Sequence, residues 1–456
     1  MRDDITTQPI GRAIARLSAP IFASMVINSL WLSVDIYFLG RLTADYIAVA
    51  TYLSPCLFVV YAVLEGFSIP LIVLIGRAVG TRDPQQLAEV RDTGWGLLVG
   101  VGLLVTVCGF ALLPIAPRVF TMSPVVSKGF TLYALCFVAS IVPWCVRAYQ
   151  AALCGGTGHT SPSYVGSLTF IGTKVALQGA LLWSGHLSIS GIGLSTIVAM
   201  WISVVCTAVY MRCLAIRGRP ARWMAVSQRW LRQFLLMAVP VMAGNLLGAI
   251  EAGMTVGFFS HYGTETLSAL GLLERVRTMA LFPAIAISVG ISIFVSQHLG
   301  AGQIARAWHG VSATFRVIVL AYIGLVIICY CGIAPALSLL APDATGAREF
   351  AVLVFQSEVV GFPFLALGFI GQGAFEGTGK TYPNLITLVI VVVFGRLLPY
   401  LIIVPVMGPM ALRYILPWSH VLHAVEAIWF IRSYRRLMQS QRVGRPHVAV
   451  AQCAVQ

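Results

Sequence analysis

Twelve stretches of mostly apolar residues, each long enough to cross a bilayer and separated by short polar joints, constrain this chain more than any other feature. They lie near residues 15–40, 46–76, 93–116, 129–153, 163–185, 190–214, 232–260, 266–298, 309–337, 350–375, 383–407 and 410–432. A helix spanning roughly 30 Å of hydrocarbon needs about 20 such residues, and the Ser/Thr/Tyr alternation of a transmembrane barrel is not seen. Of the 456 residues, 58% are hydrophobic and 10% are charged, which excludes an ordinary soluble globule. The expected fold class is an all-α polytopic membrane protein with twelve transmembrane helices. The first stretch is too long for a signal-peptide core and has no cleavage pattern, so it is kept as span one.

The formal net charge of +14 would suit nucleic acid only if it were gathered on one face. Sorted by joint, one side of the membrane collects Arg2, Arg12, Arg16, Arg77, Arg82, Arg91, the run "MRCLAIRGRPARWMAVSQRWLR", Arg306, Arg316, Lys380 and "IRSYRRLMQSQRVGR". The other side carries Arg41, Arg118, Lys128, Arg348 and Arg413. That asymmetry predicts cytoplasmic termini, an even number of spans and a cell (inner or plasma) membrane location. The basic excess is topology and contact with anionic lipid, with no nucleic-acid partner expected. Ten cysteines without paired spacing read as small core hydrophobes.

A repeat organises the chain. "SAPIFASMVINS" is partnered by "AVPVMAGNLLGA", Pro20 against Pro240, an offset of 220. "GRAVGTRDPQQLAEV" faces "SQHLGAGQIARAWHG", Gly80 against Gly300, again 220. "CGGTGHTSPSYVG" faces "FEGTGKTYPNLIT", Pro162 against Pro383, an offset of 221. The chain therefore divides into six-span halves, 1–220 and 221–433, followed by a basic cytoplasmic tail, 434–456. An even number of spans makes both halves enter from one side, so they are expected as parallel repeats about an axis along the membrane normal. Two such bundles facing across a cleft suit alternating access, and "RGRPARWMAVSQR" reads as the cytoplasmic linker.

These residues resemble the multidrug and toxic compound extrusion (MATE) transporters. "VDIYFLGRL" looks like the family's first-span signature, "LIGRAVGTRD" and "VSQHLGAGQ" like its post-span glycine turns, "CGGTGHTSP" and "FEGTGKTYP" like its turns after spans four and ten, and "LERVRTMALFP" like its eighth span. The resemblance covers essentially the whole chain and is closer to the DinF-like branch. It implies a twelve-helix antiporter, working as a monomer in the bilayer, that expels small amphiphilic organic molecules on inward H+ or Na+. No cofactor or metal is expected. Nothing indicates an enzyme, since no phosphate-binding G-x-x-x-x-G-K-[ST] loop and no catalytic motif occurs.

A charge at the centre of a spanning helix costs about 2.5–3.5 kcal/mol and calls for a partner or a task. Asp35 lies fifteen residues past Pro20, about 22 Å along a helix and in the outer half of the bilayer. It either snorkels as a topology anchor or belongs to a site. The resemblance assigns it to a cation site in the N-terminal lobe and places Lys174, Gln178 and Thr196 at the family's Asn, Asp and Thr positions. Only Thr196 keeps the expected type. Lys174 and Gln178, four apart, share a helix face. An ammonium facing Asp35 supplies a built-in cation, so the expected site is an Asp35–Lys174 pair that disfavours Na+ and leaves H+ as the coupling ion. The other reading points Lys174 to the cleft or to a lipid headgroup. Pro20 marks the bend in span one, as a passive kink or a hinge.

In the second half, Glu251 stands three residues beyond the position of a functional glutamate in NorM-like relatives, which maps to Gly248. Glu274 and Arg277 have the spacing of an internal pair, Arg275 and Arg396 match family arginines, and Arg147 in "PWCVRAYQ" is a candidate for the cleft. Mid-span cations are at least as numerous as well-centred acids, which leaves neutral, zwitterionic or anionic cargo open. The alternative function is a flippase for lipid-linked oligosaccharide or lipid with a partly basic cavity.

Overall fold

The computed structural model describes residues 5–115, 124–214, 216, 226–340 and 345–443. Arg2, Arg118, Cys453, most of the linker and the last thirteen residues of the tail fall outside them. The first six spans are α1 (Ile10–Leu42), α2 (Ala44–Thr81), α3 (Pro84–Leu112), α4 (Pro124–Gly156), α5 (Ser161–Trp183) and α6 (Ile189–Cys213). Then come α7 (Gln228–Ser260), α8 (Thr264–Gly300) and α9 (Ile304–Leu340). Span ten is broken into α10 (Thr345–Val359) and α11 (Phe362–Gly377), bent by 60°. Span eleven joins α12 (Tyr382–Val392) through a π-helical turn, Val393–Leu397, to α13 (Leu398–Met407), and α14 (Leu412–Val443) closes the chain.

Tyr382 to Arg436 is a 55-residue apolar stretch, about 80 Å as one helix and too long for a single crossing. Gly408, at φ 60°, divides it, which brings the total to the expected twelve spans. The described elements are all helical, as the bilayer demands: with no water to bond exposed N–H and C=O groups, each segment must satisfy its own backbone.

The helices pack into two compact units, Ala19–Ala238 and Met1–Ser18 with Val239–Gln456. The packing boundaries fall inside unbroken helices, immediately ahead of Pro20 and Pro240, and not at the repeat boundary near 220. A proline removes one rung of the helical ladder and its ring crowds the carbonyl four residues back. In the first unit the start of α7 is core: Trp230, Phe234 and Met237 join its main apolar cluster, and Trp230 Nε1 donates to Glu89 Oε2 at 2.9 Å. In the second unit the start of α1 is held by Arg306, which donates to the Gln8 carbonyl.

The repeat is visible in the turns. Gly158 (φ 88°) and Gly379 (φ 76°) close spans four and ten in the left-handed region. Each is followed by the same bond, His159 N–H to Cys154 O at 2.8 Å and Lys380 N–H to Phe375 O at 3.2 Å, the wide C-cap that satisfies the last carbonyls of a helix. Arg82 (φ 57°) and Gly302 (φ 70°) occupy equivalent turns after spans two and eight. Close helix contacts repeat as well. A Cβ on Gly156 would stand 2.8 Å from Ile72 O, and one on Gly377 2.8 Å from Ser292 O, so small residues let these helices meet backbone to backbone.

The cysteines correct one expectation. Cys136, Cys145 and Cys154 are buried, but Cys108, Cys213 and Cys331 are exposed, and all nine described are free thiols. A small apolar side chain on a membrane span needs no protein neighbour, because lipid serves equally well.

An L-residue in the left-handed region is strained by about 1–2 kcal/mol. Gly158→Ala and Gly379→Ala are each expected to lower stability by about 1 kcal/mol, whereas Arg82→Gly is expected to be neutral or stabilising. Thermal melts of the purified variants check this, and equal melting of all three would contradict the turn assignment.

Candidate functional site

Inside the first unit, Asp35 on α1 is 1% exposed and Lys174 on α5 is fully buried. Lys174 Nζ lies 2.8 Å from Asp35 Oδ2. Lys174 also donates to Thr196 Oγ1 at 2.9 Å, and its ammonium sits 5.2 Å from the centre of the Trp31 ring and 5.7 Å from that of Phe170, within cation–π reach. Tyr133 on α4 donates to Asp35 Oδ2 at 2.6 Å, and Gln178 donates to Asp35 Oδ1 at 3.2 Å. The carboxylate thus accepts from three donors, while the ammonium has two oxygens and two aromatic rings.

Local sequence explains the convergence. Lys174 and Gln178 are one turn apart on α5 and point the same way. Ser195 and Thr196 on α6 each bond back to Ile192 O, at 2.6 and 3.2 Å, which fixes their hydroxyls toward the site. Ser195 Oγ then accepts from Gln178 Nε2 at 3.0 Å. Gly193 permits the approach of α4 and α6, since a Cβ there would stand 2.6 Å from the Cys136 Cβ. A void of ≈ 10 Å³ lined by Trp31, Leu53, Leu57, Tyr133, Phe137, Gly193 and Thr196 adjoins the pair, enough for about one water. Gln178 Oε1 is buried and accepts no hydrogen bond.

Chemically, the ammonium fills the space between Asp35 and Thr196. A hard cation such as Na+ seeks several oxygens, and here the best of them are already taken by a covalently attached charge. Arg147 on α4 is separate from this pair. Its Nη2 donates to Asn28 Oδ1 at 3.1 Å and Ser167 Oγ at 3.2 Å, and the guanidinium lies 5.4 Å from the Phe170 centroid.

In the second unit Glu251 on α7 pairs with Arg396 in the π-helical turn, 2.9 Å apart. Glu251 also accepts from Thr255 Oγ1 at 3.0 Å. Glu274 and Arg277 make the expected internal pair, and Arg277 also reaches Glu358 Oε1 at 3.4 Å. Arg275 is exposed and shares none of these ion pairs. Tyr133, Ser195 and Glu358 were not among the residues singled out by sequence. A tyrosine or serine in an apolar run carries no distinguishing pattern, and nothing in the sequence around Glu358 separates it from other acids near the end of a span.

The MatE family model matches residues 20–178 and again 240–401, one match in each half and beginning at Pro20 and Pro240. A "Probable multidrug resistance protein YoeA" from Bacillus subtilis is 23% identical over 310 residues, 65% of this chain and 66% of that protein. An "FAD transporter" from Shewanella oneidensis is 23% identical over 326 residues, 67% and 69% of the two chains. The Vibrio cholerae MATE transporter VcmN in its bent form has the same fold, with a TM-score of 0.86, 16% identity and coverage of 94% and 98%.

The buried pair has an energetic consequence. Removing one partner of a buried ion pair leaves an uncompensated charge and costs about 3–5 kcal/mol. Lys174→Met is therefore expected to lower stability by about 3–5 kcal/mol, and Lys174→Met with Asp35→Asn to recover most of it. Denaturation of the purified single and double variants tests this, and additive losses would mean that the two residues act independently.

Proposed function

We propose, because this chain belongs to the MatE family of membrane transporters, that it is a secondary active exporter of small amphiphilic organic compounds. Its two lobes give alternating access, and inward H+ is the coupling ion in preference to Na+. The observation that carries this reading is the Lys174 ammonium against Asp35, 2.8 Å away. Asp35 and Lys174 together are neutral, so the site has no standing demand for a cation. A proton delivered to Asp35 converts the ion pair into a carboxylic acid beside an ammonium, and Lys174, which keeps its bond to Thr196, is then free to turn toward the unpartnered Gln178 Oε1. Loss of that proton restores the pair. Making and breaking one buried contact thus takes the place of ion binding and release.

The relatives described as a multidrug resistance protein and an FAD transporter support a cargo panel that includes anionic as well as cationic and neutral compounds. The exporter is placed in the cell membrane as a monomer with both termini cytoplasmic, consistent with the distribution of Lys and Arg.

Uptake into proteoliposomes under an imposed ΔpH or ΔNa+ tests the proposal. Uphill flux is expected with ΔpH, with no response to ΔNa+, and Asp35→Asn is expected to reduce it to background. Lys174→Asn removes the internal cation and adds an oxygen, so it is expected to confer dependence on Na+. Flux indifferent to ΔpH, or a Lys174→Asn variant with wild-type flux and pH profile, would overturn the reading.

A further inference from the structure

The second unit contains a cluster of titratable groups that the Asp35 pair does not involve. Span ten breaks between Val359 and Phe362, and non-helical backbone at membrane depth is tolerated where it is buried in protein or lines a cavity. Glu358 is the last acidic residue before the break and is fully buried, as is His420 on α14. His420 packs directly on the break: a Cβ on Gly361 would stand 2.4 Å from His420 Cδ2, so only glycine leaves room for the ring. Phe362 closes the site edge-on at 5.9 Å.

The unusual feature is what the buried groups lack. Neither ring nitrogen of His420 makes a hydrogen bond, and neither does Glu358 Oε2. His420 Nε2 stands 3.6 Å from Glu358 Oε1, a little beyond hydrogen-bond length. A polar group left unsatisfied in a buried site costs about 1–3 kcal/mol; a neutral imidazole can turn an Nε2–H toward Glu358 Oε1, and a second proton, on Nδ1, makes an imidazolium whose charge faces that carboxylate.

The surroundings favour that proton by charge. Arg277 on α8 faces Glu358 and is shared with Glu274. Arg396 is paired with Glu251, with Tyr400 nearby. On α14, His423 follows His420 by one turn, with ring centroids 6.2 Å apart, and bonds Glu426 Oε2 at 2.7 Å. Four carboxylates thus face two guanidiniums and two imidazoles, and the cluster is neutral when both imidazoles are doubly protonated.

We propose that His420 and Glu358 form a proton-binding site in the second unit, with His423 and Glu426 continuing it along one face of α14. The ligand is the second proton of the His420 imidazole, opposed by burial and by His423 and Arg396 and drawn by Glu358. It is separate from the Asp35 pair and rests on the proton-linked reading only for its use in transport. Histidine is the side chain whose unperturbed charge change falls between about pH 5 and 8.

Isotope-labelled histidine in the full chain, reconstituted in lipid nanodiscs, reports the charge of each imidazole directly. Of the eight histidines, the one missing from His420→Gln is expected to change protonation between about pH 5 and 8. Its midpoint is expected to move by about one pH unit or more in Glu358→Gln. Should His420→Gln fail to fold, single replacement of the other histidines assigns its signal by elimination. A His420 ring held in one protonation state across that range, or a midpoint unmoved by Glu358→Gln, overturns the site. Failure of the proton-linked reading registers elsewhere, as wild-type flux indifferent to ΔpH, and leaves the imidazole titration unchanged.

Discussion

A polar group that enters hydrocarbon without a partner costs several kcal/mol, and the rest of this molecule follows from that cost. It makes every span a helix and forces helix ends to close on themselves, as Gly158 and Gly379 do. It also governs the few charges that go inside. Asp35 accepts from Lys174, Tyr133 and Gln178, and Glu251 is matched by Arg396. Where the rule is relaxed, at His420 and Glu358, the structure departs from what burial alone would select, and such departures are where function is most often found.

Much of the fold is legible in the sequence because it depends on backbone conformation. Twelve apolar runs fix the number of spans by length alone. Pro20 against Pro240 and "GTG" against "GTG" mark a repeat because a missing N–H or a left-handed turn can be met by few residue types. The packing boundary is not legible in this way. A proline in α1 and another in α7 show where each helix is loosened, but which side of it packs with which bundle depends on contacts such as those of Trp230 and Phe234.

The candidate sites divide similarly. Lys174 and Gln178 announce themselves by a four-residue spacing, and Asp35 by its isolation in an apolar run. That the pair touches follows from α1 and α5 lying side by side in the first unit, which no spacing encodes. Tyr133 has nothing to distinguish it from any interfacial tyrosine. His420 is further still from view: its neighbour Glu358 is more than sixty residues away, and the two meet only because span ten is broken and Gly361 has no side chain.

The internal counter-ion of the first unit also matters for voltage. A potential of 100 mV does about 2.3 kcal/mol of work on each elementary charge carried across the membrane. A lone carboxylate that alternately holds and releases an ion is charged for part of every cycle and is pulled by that field. Asp35 with Lys174 is a dipole of no net charge, pulled equally in both directions, so the membrane voltage does work at this site only on a charge added to it.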